Sequence, residues 1–400
     1  MMSALVRVDG RGLWCEAGGF HIDPWRPVDR AVITHAHGDH ARPGHRHYLA
    51  TGQSAGVLSR RIPGLSLQTV DYGEEVVING VRVSLHPAGH VLGSAQVRVE
   101  HRGEVWVVSG DYKLGADPTC TPFEPVRCDT FITESTFALP IYRWRPDREL
   151  FAEINDWWRA NAADGRNSIL LAYAFGKAQR VLAGVDPSIG PILCHGAVAN
   201  LNEAYREAGV MLPAAPHVAT GEVAGAARTV GTSHAGGGGE AGGAAGAGGA
   251  ARAGAAGGTG GAGAAGRGGG AKRGAGRVPP GALVIAPPSV AGSIWLRRFG
   301  ALSDAFASGW MQLRGARRRR GVDRGFVLSD HADWPGLLAA IEATGASRVL
   351  ITHGESATLA RWLCDHGRDG GVLETEYGDD RLEQPEELSD DPVQGTVIAP

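Results

Sequence analysis

The stretch Ala31-Val-Ile-Thr-His35-Ala-His37-Gly-Asp39-His40 constrains this chain more than any other. An apolar strand pattern runs straight into three imidazoles and a carboxylate within six positions. On extended backbone the side chains alternate with period two, so His35, His37 and Asp39 fall on one side. Gly38 permits a turn, and His40 comes round as the next helix starts. His-x-His-x-Asp-His spacing directly after a strand points to a metal site, because nitrogen and carboxylate donors must converge on one point.

Further donors stand at strand ends. His90 lies in Pro87-Ala-Gly-His90-Val-Leu-Gly, between two strand patterns, and Asp111 follows Val105-Trp-Val-Val-Ser109. His353 closes the pattern Arg348-Val-Leu-Ile-Thr352. A carboxylate at Asp111 could bridge two ions roughly 3.5–4 Å apart. The five cysteines are odd in number, far apart and without a Cys-x-x-Cys pair. That argues for reduced thiols in the cytoplasm and against a zinc–thiolate site.

The chain has 400 residues, enough for two or three domains. Glycine is abundant at 61 residues, but 22 of these and 15 alanines lie in residues 231–277. That segment cannot bury enough apolar surface to offset its ordering entropy and reads as a flexible linker. No stretch of 18 apolar residues exists to span a bilayer, and charges at Arg7, Asp9, Arg11 and Glu16 leave no apolar core for a signal peptide. Export and membrane insertion are therefore not expected. Net charge is −3, and because the glycine segment carries five basic residues and one acidic, the other 353 residues stand at −7. A polyanion would have to be held by a local patch, for which residues 297–324 offer eight arginines against Asp304 and Asp323. A solvated surface run is the plain alternative for that stretch.

Strand patterns are expected at 5–8, 31–34, 75–78, 81–85, 96–100, 105–109 and 130–133. A helix is expected at 148–161, then two strand–helix units at 169–182 and 191–208. After the glycine segment come a strand at 282–286, a helix near 293–299, and strands at 325–329 and 348–352, each leading to a helix. The alternation in the middle of the chain predicts an open α/β unit. The tail from Gly378 has seven acidic residues against Arg381 and reads as disordered.

This set of residues resembles the metallo-β-lactamase fold, and more narrowly its β-CASP nuclease branch, over nearly all of the chain outside 231–277 and the tail. Asp23 in Phe20-His-Ile-Asp23 matches the family's first motif, a carboxylate behind the metal ligands. His35, His37, Asp39 and His40 match the second motif, His90 the third and Asp111 the fourth. Glu134 in Thr-Glu134-Ser-Thr, His331 in Ser-Asp-His331-Ala-Asp and His353 in Thr-His353-Gly-Glu match the three β-CASP motifs. The resemblance implies an α/β, four-layer αββα fold with an inserted α/β domain. Residues 1–134 and 325–378 would form the metallo-β-lactamase domain, 135–324 the insertion containing 231–277, and 379–400 the disordered acidic tail.

It further implies two divalent ions. His35, His37, His90 and Asp111 would hold one, and Asp39, His40, His353 and the same Asp111 the other. Ligation by nitrogen and carboxylate suits zinc, with manganese the alternative. Such a pair lowers the pKa of a water between the ions and neutralises phosphoryl charge, so the nucleophile would be hydroxide. His331 would protonate the leaving oxygen and Glu134 would orient it; Asp39 and Asp111 complete the catalytic set.

Phe20-His-Ile-Asp-Pro-Trp-Arg-Pro, Gly110-Asp-Tyr-Lys113 and Ala286-Pro-Pro-Ser-Val-Ala-Gly-Ser are similar to the bacterial DNA-ligase-associated exonucleases. This implies a cytoplasmic DNA exonuclease in repair, functionally associated with ligase and helicase. A histidine at position 353 is more typical of RNA-processing members, so a β-CASP ribonuclease is the alternative. A catalytically silent nucleic-acid-binding subunit is a third reading, against which the full set of seven ligands argues. Ser289 and Ser293, with helix capping the alternative for Ser293, join Arg297, Arg298 and Lys177 as candidate contacts to the strand.

Overall fold

Alternation builds the centre of the molecule. Val81, Val83 and Leu85 on one strand, and Ala95, Val97 and Val99 on the next, are fully buried, and Val83 pairs with Val99 and Leu85 with Val97. Their shared face packs on Leu13, Phe20, Ile22, Val32 and Leu49 of a second sheet to form the inter-sheet core. The computed structural model describes residues 4–218 and 278–377. The segment 231–277, the tail 379–400 and the side chains of Arg317 and Arg319 lie outside the described residues.

The first sheet contains β1 (Arg7–Val8), β2 (Leu13–Cys15), β3 (Phe20–Ile22), β4 (Arg30–Val32) and β5 (His47–Thr51). Helix α1 (Ala55–Arg61) leads to its last strand, β6 (Leu67–Val70). Pairing follows chain order, antiparallel to β3 and parallel thereafter. The second sheet opens as an antiparallel meander of β7 (Glu75–Ile78), β8 (Val81–Pro87), β9 (Ala95–His101) and β10 (Glu104–Val108). It continues in parallel through β11 (Thr130–Thr133).

The chain then leaves this sheet for α2 (Asp147–Ala163), β12 (Asn167–Leu171), α3 (Lys177–Gly184), β13 (Ile192–Cys194) and α4 (Gly196–Glu207). Beyond the glycine segment come β14 (Leu283–Ala286), β15 (Leu302–Ala307), α5 (Arg314–Arg320) and β16 (Arg324–Phe326). Strands β12 to β16 form a third, wholly parallel sheet in the order β13-β14-β12-β15-β16. The chain returns through α6 (Trp334–Thr344), β17 (Arg348–Ile351), α7 (Ser356–Asp365) and β18 (Asp369–Val372). Strand β17 pairs between β11 and β18, closing the second sheet.

Helices α6 and α7 cover the outer face of the second sheet through Leu337, Ile341, Leu359 and Leu363. The outer face of the first sheet packs with α1 and with residues of the third sheet and its helices in one continuous core. Two facing sheets between helical layers, with a parallel sheet inserted between β11 and β17, make a mixed α/β architecture. All five cysteines are unpaired, and among the described residues no helix is long and apolar enough to cross a membrane.

Several expected elements are shorter or different. The strand expected at 31–34 ends at Val32 because the Thr34 N–H donates to the Asp23 carboxylate instead of to a neighbouring strand. No helix follows it; His40 and Ala41 both donate their N–H to the His37 carbonyl in a turn. At 5–8 only Arg7 and Val8 pair with a neighbour. The strand expected at 325–329 stops at Phe326, whose carbonyl accepts the Leu328 N–H in a turn. Residues 294–299 form a 3-10 helix, six residues bounded by Gly292 and Gly300 at positive φ.

Candidate metal centre

Four connections gather at one edge of the two facing sheets: the turn after β4, the β8–β9 loop, and the loops after β10 and β17. Asp23 organises the approach. Its Oδ1 accepts the Thr34 N–H at 2.8 Å, while Oδ2 accepts the Thr34 hydroxyl at 2.5 Å and faces His40 Nδ1 at 2.7 Å. With its proton given to Asp23, the Thr34 oxygen accepts from His35 Nδ1 at 3.0 Å. His90 Nδ1 donates to the Asp330 carbonyl at 2.8 Å, and His37 Nε2 reaches the Phe175 carbonyl at 3.4 Å. Partners of this kind fix the orientation, so each ring turns its other nitrogen inward. His90 Nε2 and His37 Nδ1 consequently face each other at 3.0 Å.

Asp111 stands between the two groups of donors. Its Oδ2 lies 3.3 Å from His35 Nε2, 3.5 Å from His40 Nε2 and 3.7 Å from His90 Nε2. Its Oδ1 is 3.7 Å from His353 Nδ1. Asp39 Oδ2 is 3.5 Å from His40 Nε2 and 3.8 Å from His353 Nε2. The donor atoms of His35, His37, His90 and Asp111 lie within 4.8 Å of one another, as do those of Asp39, His40 and His353.

The backbone is bent to achieve this. Asp23 and His353 have φ of +42° and +59°, in the left-handed region that non-glycine residues occupy at a cost of order 1–3 kcal/mol. Gly110, just before Asp111, has φ +56°, and a Cβ there would lie 2.6 Å from that of Thr34.

A divalent cation fits these residues. His35 Nε2, His40 Nε2, Asp111 Oδ1 and His353 Nε2 are buried and no protein group hydrogen-bonds them. An unsatisfied buried polar atom costs about 1–3 kcal/mol, and cation ligation would satisfy these atoms together. Burial, together with neighbouring imidazoles, holds His35, His37 and His90 below the ordinary histidine value, in the neutral form that ligates. Burial alone would raise Asp39 and Asp111, but the adjacent histidines, His40 foremost, pull both below the carboxylate range. His40 is opposite: burial would lower it, but Asp39, Asp111 and Asp23 drive it well above its usual value. Cation binding would therefore displace a proton there.

Beside this cluster, His331 Nδ1 faces both oxygens of the buried Glu134 carboxylate, at 2.9 and 3.1 Å. Glu134 is itself held by the Tyr112 N–H at 2.8 Å and the Thr136 hydroxyl at 2.6 Å. The His331 ring centre is 4.7 Å from that of His90.

The candidate strand contacts are not among the converging donors. Ser289 and Ser293 line a cleft of about 570 Å³ with His195 and Trp295, beyond the carboxyl ends of β12, β13 and β14. Ser293 makes no cap, and its hydroxyl is buried without a partner. Arg297 is exposed, whereas Arg298 is pinned to the Trp295 and Val218 carbonyls. Lys177 is 6% exposed, 3.9 Å from Asp330 Oδ2 and over the Tyr173 ring. Its charge is committed inside the protein.

Two residues carried no sequence signal. Tyr377 stacks on His40 with ring centres 4.9 Å apart and planes 10° apart, and also meets His353 and Trp25. Arg180 enters through its contact with the loop before His331.

No family model matches the chain. A probable DNA ligase of Opitutus terrae is 26% identical over 366 residues, 90% of this chain and 30% of that protein. Endoribonuclease YSH1 of Saccharomyces cerevisiae is 30% identical over 122 residues, 30% of this chain and 15% of that protein. Cleavage and polyadenylation specificity factor 73 of Drosophila melanogaster is 31% identical over 122 residues, 30% of this chain and 18% of that protein. The chain thus spans less than a third of the length of these relatives. A crystal structure of an Enterococcus faecalis protein of unknown function matches with a TM-score of 0.51 at 10% identity, covering 88% of this chain and 80% of that one. The fold is that of a metallo-β-lactamase with an inserted α/β domain, as the resemblance in the sequence implied.

Proposed function

We propose that this chain is a two-metal phosphodiesterase acting on nucleic acid, and that its substrate is DNA cut from an end. The observation that carries the reading is the convergence of four buried, unpartnered donor atoms beside a His331–Glu134 pair. Two divalent cations, zinc or manganese, would be held by His35, His37, His90 and Asp111 and by Asp39, His40, His353 and Asp111. When bound, they supply an activated water and positive charge against the phosphoryl oxygens.

The chain's own residues do the rest. Asp23 keeps His40, and through Thr34 also His35, with lone pairs inward. Glu134 holds the His331 ring through Nδ1, and the proton for the leaving oxygen would come from Nε2. Exposed Arg297, with the hydroxyls of Ser289 and Ser293 in their cleft, would guide a phosphate backbone. Residues 135–324 are the module we assign to the grip on the strand.

DNA is favoured by a relative named as a DNA ligase that aligns along 90% of the chain. The RNA reading has its own support in the endoribonuclease likeness over 122 residues, and in His353. End-labelled DNA and RNA oligonucleotides of matched sequence, digested with zinc or manganese, test the proposal. Release of nucleotides from DNA ends is expected, and exclusive RNA cleavage would replace DNA with RNA as the substrate.

A further inference from the structure

Arg180 is buried, at 5% exposure, on the first turn of α3. A buried guanidinium persists only where carboxylates and carbonyls meet its donors. Here Nη2 donates to both oxygens of Asp147, at 2.7 and 2.8 Å, and Nε lies 3.5 Å from Asp117 Oδ2. The remaining nitrogen, Nη1, donates to Asp330 Oδ1 at 3.1 Å and to the Ser329 carbonyl. Lys177 approaches Asp330 from its other oxygen, and Lys113 meets Asp117 at 3.1 Å. Three cations and three carboxylates thus form one connected network.

That network ends on the residues just before His331. Residues 327–333 form an irregular connection between β16 and α6, so no ladder fixes them. Within it, the Asp330 carbonyl holds His90 and the Ser329 hydroxyl accepts the His331 N–H at 3.1 Å. The peptide joining Asp330 to His331 therefore carries a candidate ligand's partner on one side and the proton donor on the other. Arg180 grips the Ser329 carbonyl and the Asp330 side chain, one step before this peptide, from a helix of the inserted module, and Asp147 anchors the grip at the start of α2.

We propose that Arg180 is a positioning residue which sets the His331 imidazole over the metal centre by clamping Ser329 and Asp330. The inference rests on the reading of His331 as proton donor. A lysine at 180 keeps the charge but loses the fork that spans Asp147, Asp330 and the Ser329 carbonyl together.

The test is a double-mutant cycle on the full-length, metal-loaded protein, with single-strand DNA digestion and metal content measured in parallel. Arg180→Lys is expected to keep its bound metal, lower kcat by about 10- to 100-fold and leave KM within about twofold. In a His331→Ala background the same change should lower kcat no further. Independent, multiplying losses would overturn the proposal, because Arg180 would then act elsewhere. Loss of metal from Arg180→Lys would also overturn it, placing the effect on the ligands. If Arg180→Lys does not fold, Asp330→Asn carries the cycle with the same expected and overturning results. A His331→Ala variant as fast as wild type would instead sink the underlying reading, and so separates the two failures.

Discussion

The Glu134 carboxylate lies 2.9 Å from His331 Nδ1, and 197 residues of chain separate the two. Glu134 follows β11 in the central sheet, whereas His331 sits on the loop after β16 of the inserted sheet. Their pairing joins the two parts of the fold at the point where the proposed reaction would deliver its proton. Asp111 can form a third donor group with them, so two roles for His331 differ in a measurable way. As a proton donor, His331→Ala should retain its full metal content and lose about 10²- to 10⁴-fold in kcat. Metal loss on mutation would make it a ligand. Glu134→Gln should keep metal as well, with a smaller loss, since it retains the shape and removes the charge.

Asp111 reaches both donor groups, which makes it the residue on which two ions would depend together. Asp111→Asn is expected to reduce bound metal from two ions to one or none by elemental analysis. In the native chain, chelation should lower the thermal midpoint and added zinc should restore it. A ligand present at 1,000 times its Kd stabilises by about 4 kcal/mol. The Asp111→Asn midpoint should respond little to zinc, and an equal response in both proteins would contradict the assignment.

Four of the candidate ligands were legible in the sequence because each stands where an apolar strand pattern ends, and strand ends are where a sheet presents side chains at its edge. His35, His90, Asp111 and His353 follow this rule. Asp23 was legible too, through its motif, but Thr34 and the Asp330 carbonyl, which orient His35 and His90, were not, because each acts through a hydrogen bond that leaves no mark on a strand pattern. Thr34 shortens β4 by giving its N–H and hydroxyl to Asp23, and nothing in a period-two pattern marks that diversion. Strand β15 escaped for another reason. Leu302-Ser-Asp-Ala-Phe-Ala307 has polar residues where a central strand is usually apolar; Ser303 is buried and meets the Trp157 indole N–H at 3.2 Å. Arg180 resembles any other helical arginine until the fold brings Asp147, Asp117 and Asp330 around it.

Tyr377 lies nearly parallel to the His40 ring and tilted against that of His353, so it packs on two of the three donors of one group. The Arg26–Glu376 ion pair at 2.9 Å ties down its neighbour. Removing such a support typically costs 10- to 100-fold in metal affinity. Tyr377→Ala should weaken one of two binding steps in calorimetric zinc titration by about 10-fold, leaving the other in place. Tyr377→Phe, which keeps the ring, should bind both ions as the native chain does. An equal loss in both variants would assign the effect to the hydroxyl instead.

His45 supplies a pH dependence away from the metal centre. Its ring is buried and its Nδ1 accepts the Val28 N–H at 3.3 Å, which requires the unprotonated nitrogen. Burial, with His21 and Arg42 nearby, pushes the imidazole down to about 4. The unfolded chain, at about 6.5, takes up the proton first as pH falls. The contribution of His45 to stability is thus fully present above about 6.5, lost progressively down to about 4, and constant below that. A shift of this size is worth at most about 3 kcal/mol, and partial hydration of a ring near the surface brings the expectation to about 1–2 kcal/mol. Urea unfolding of metal-free protein at pH 7.5, 6 and 5 measures it against His45→Asn, whose Oδ1 can take the Val28 N–H. The native chain should lose more stability than the variant between pH 6 and 5. Parallel losses in the two proteins would show that His45 does not carry the dependence.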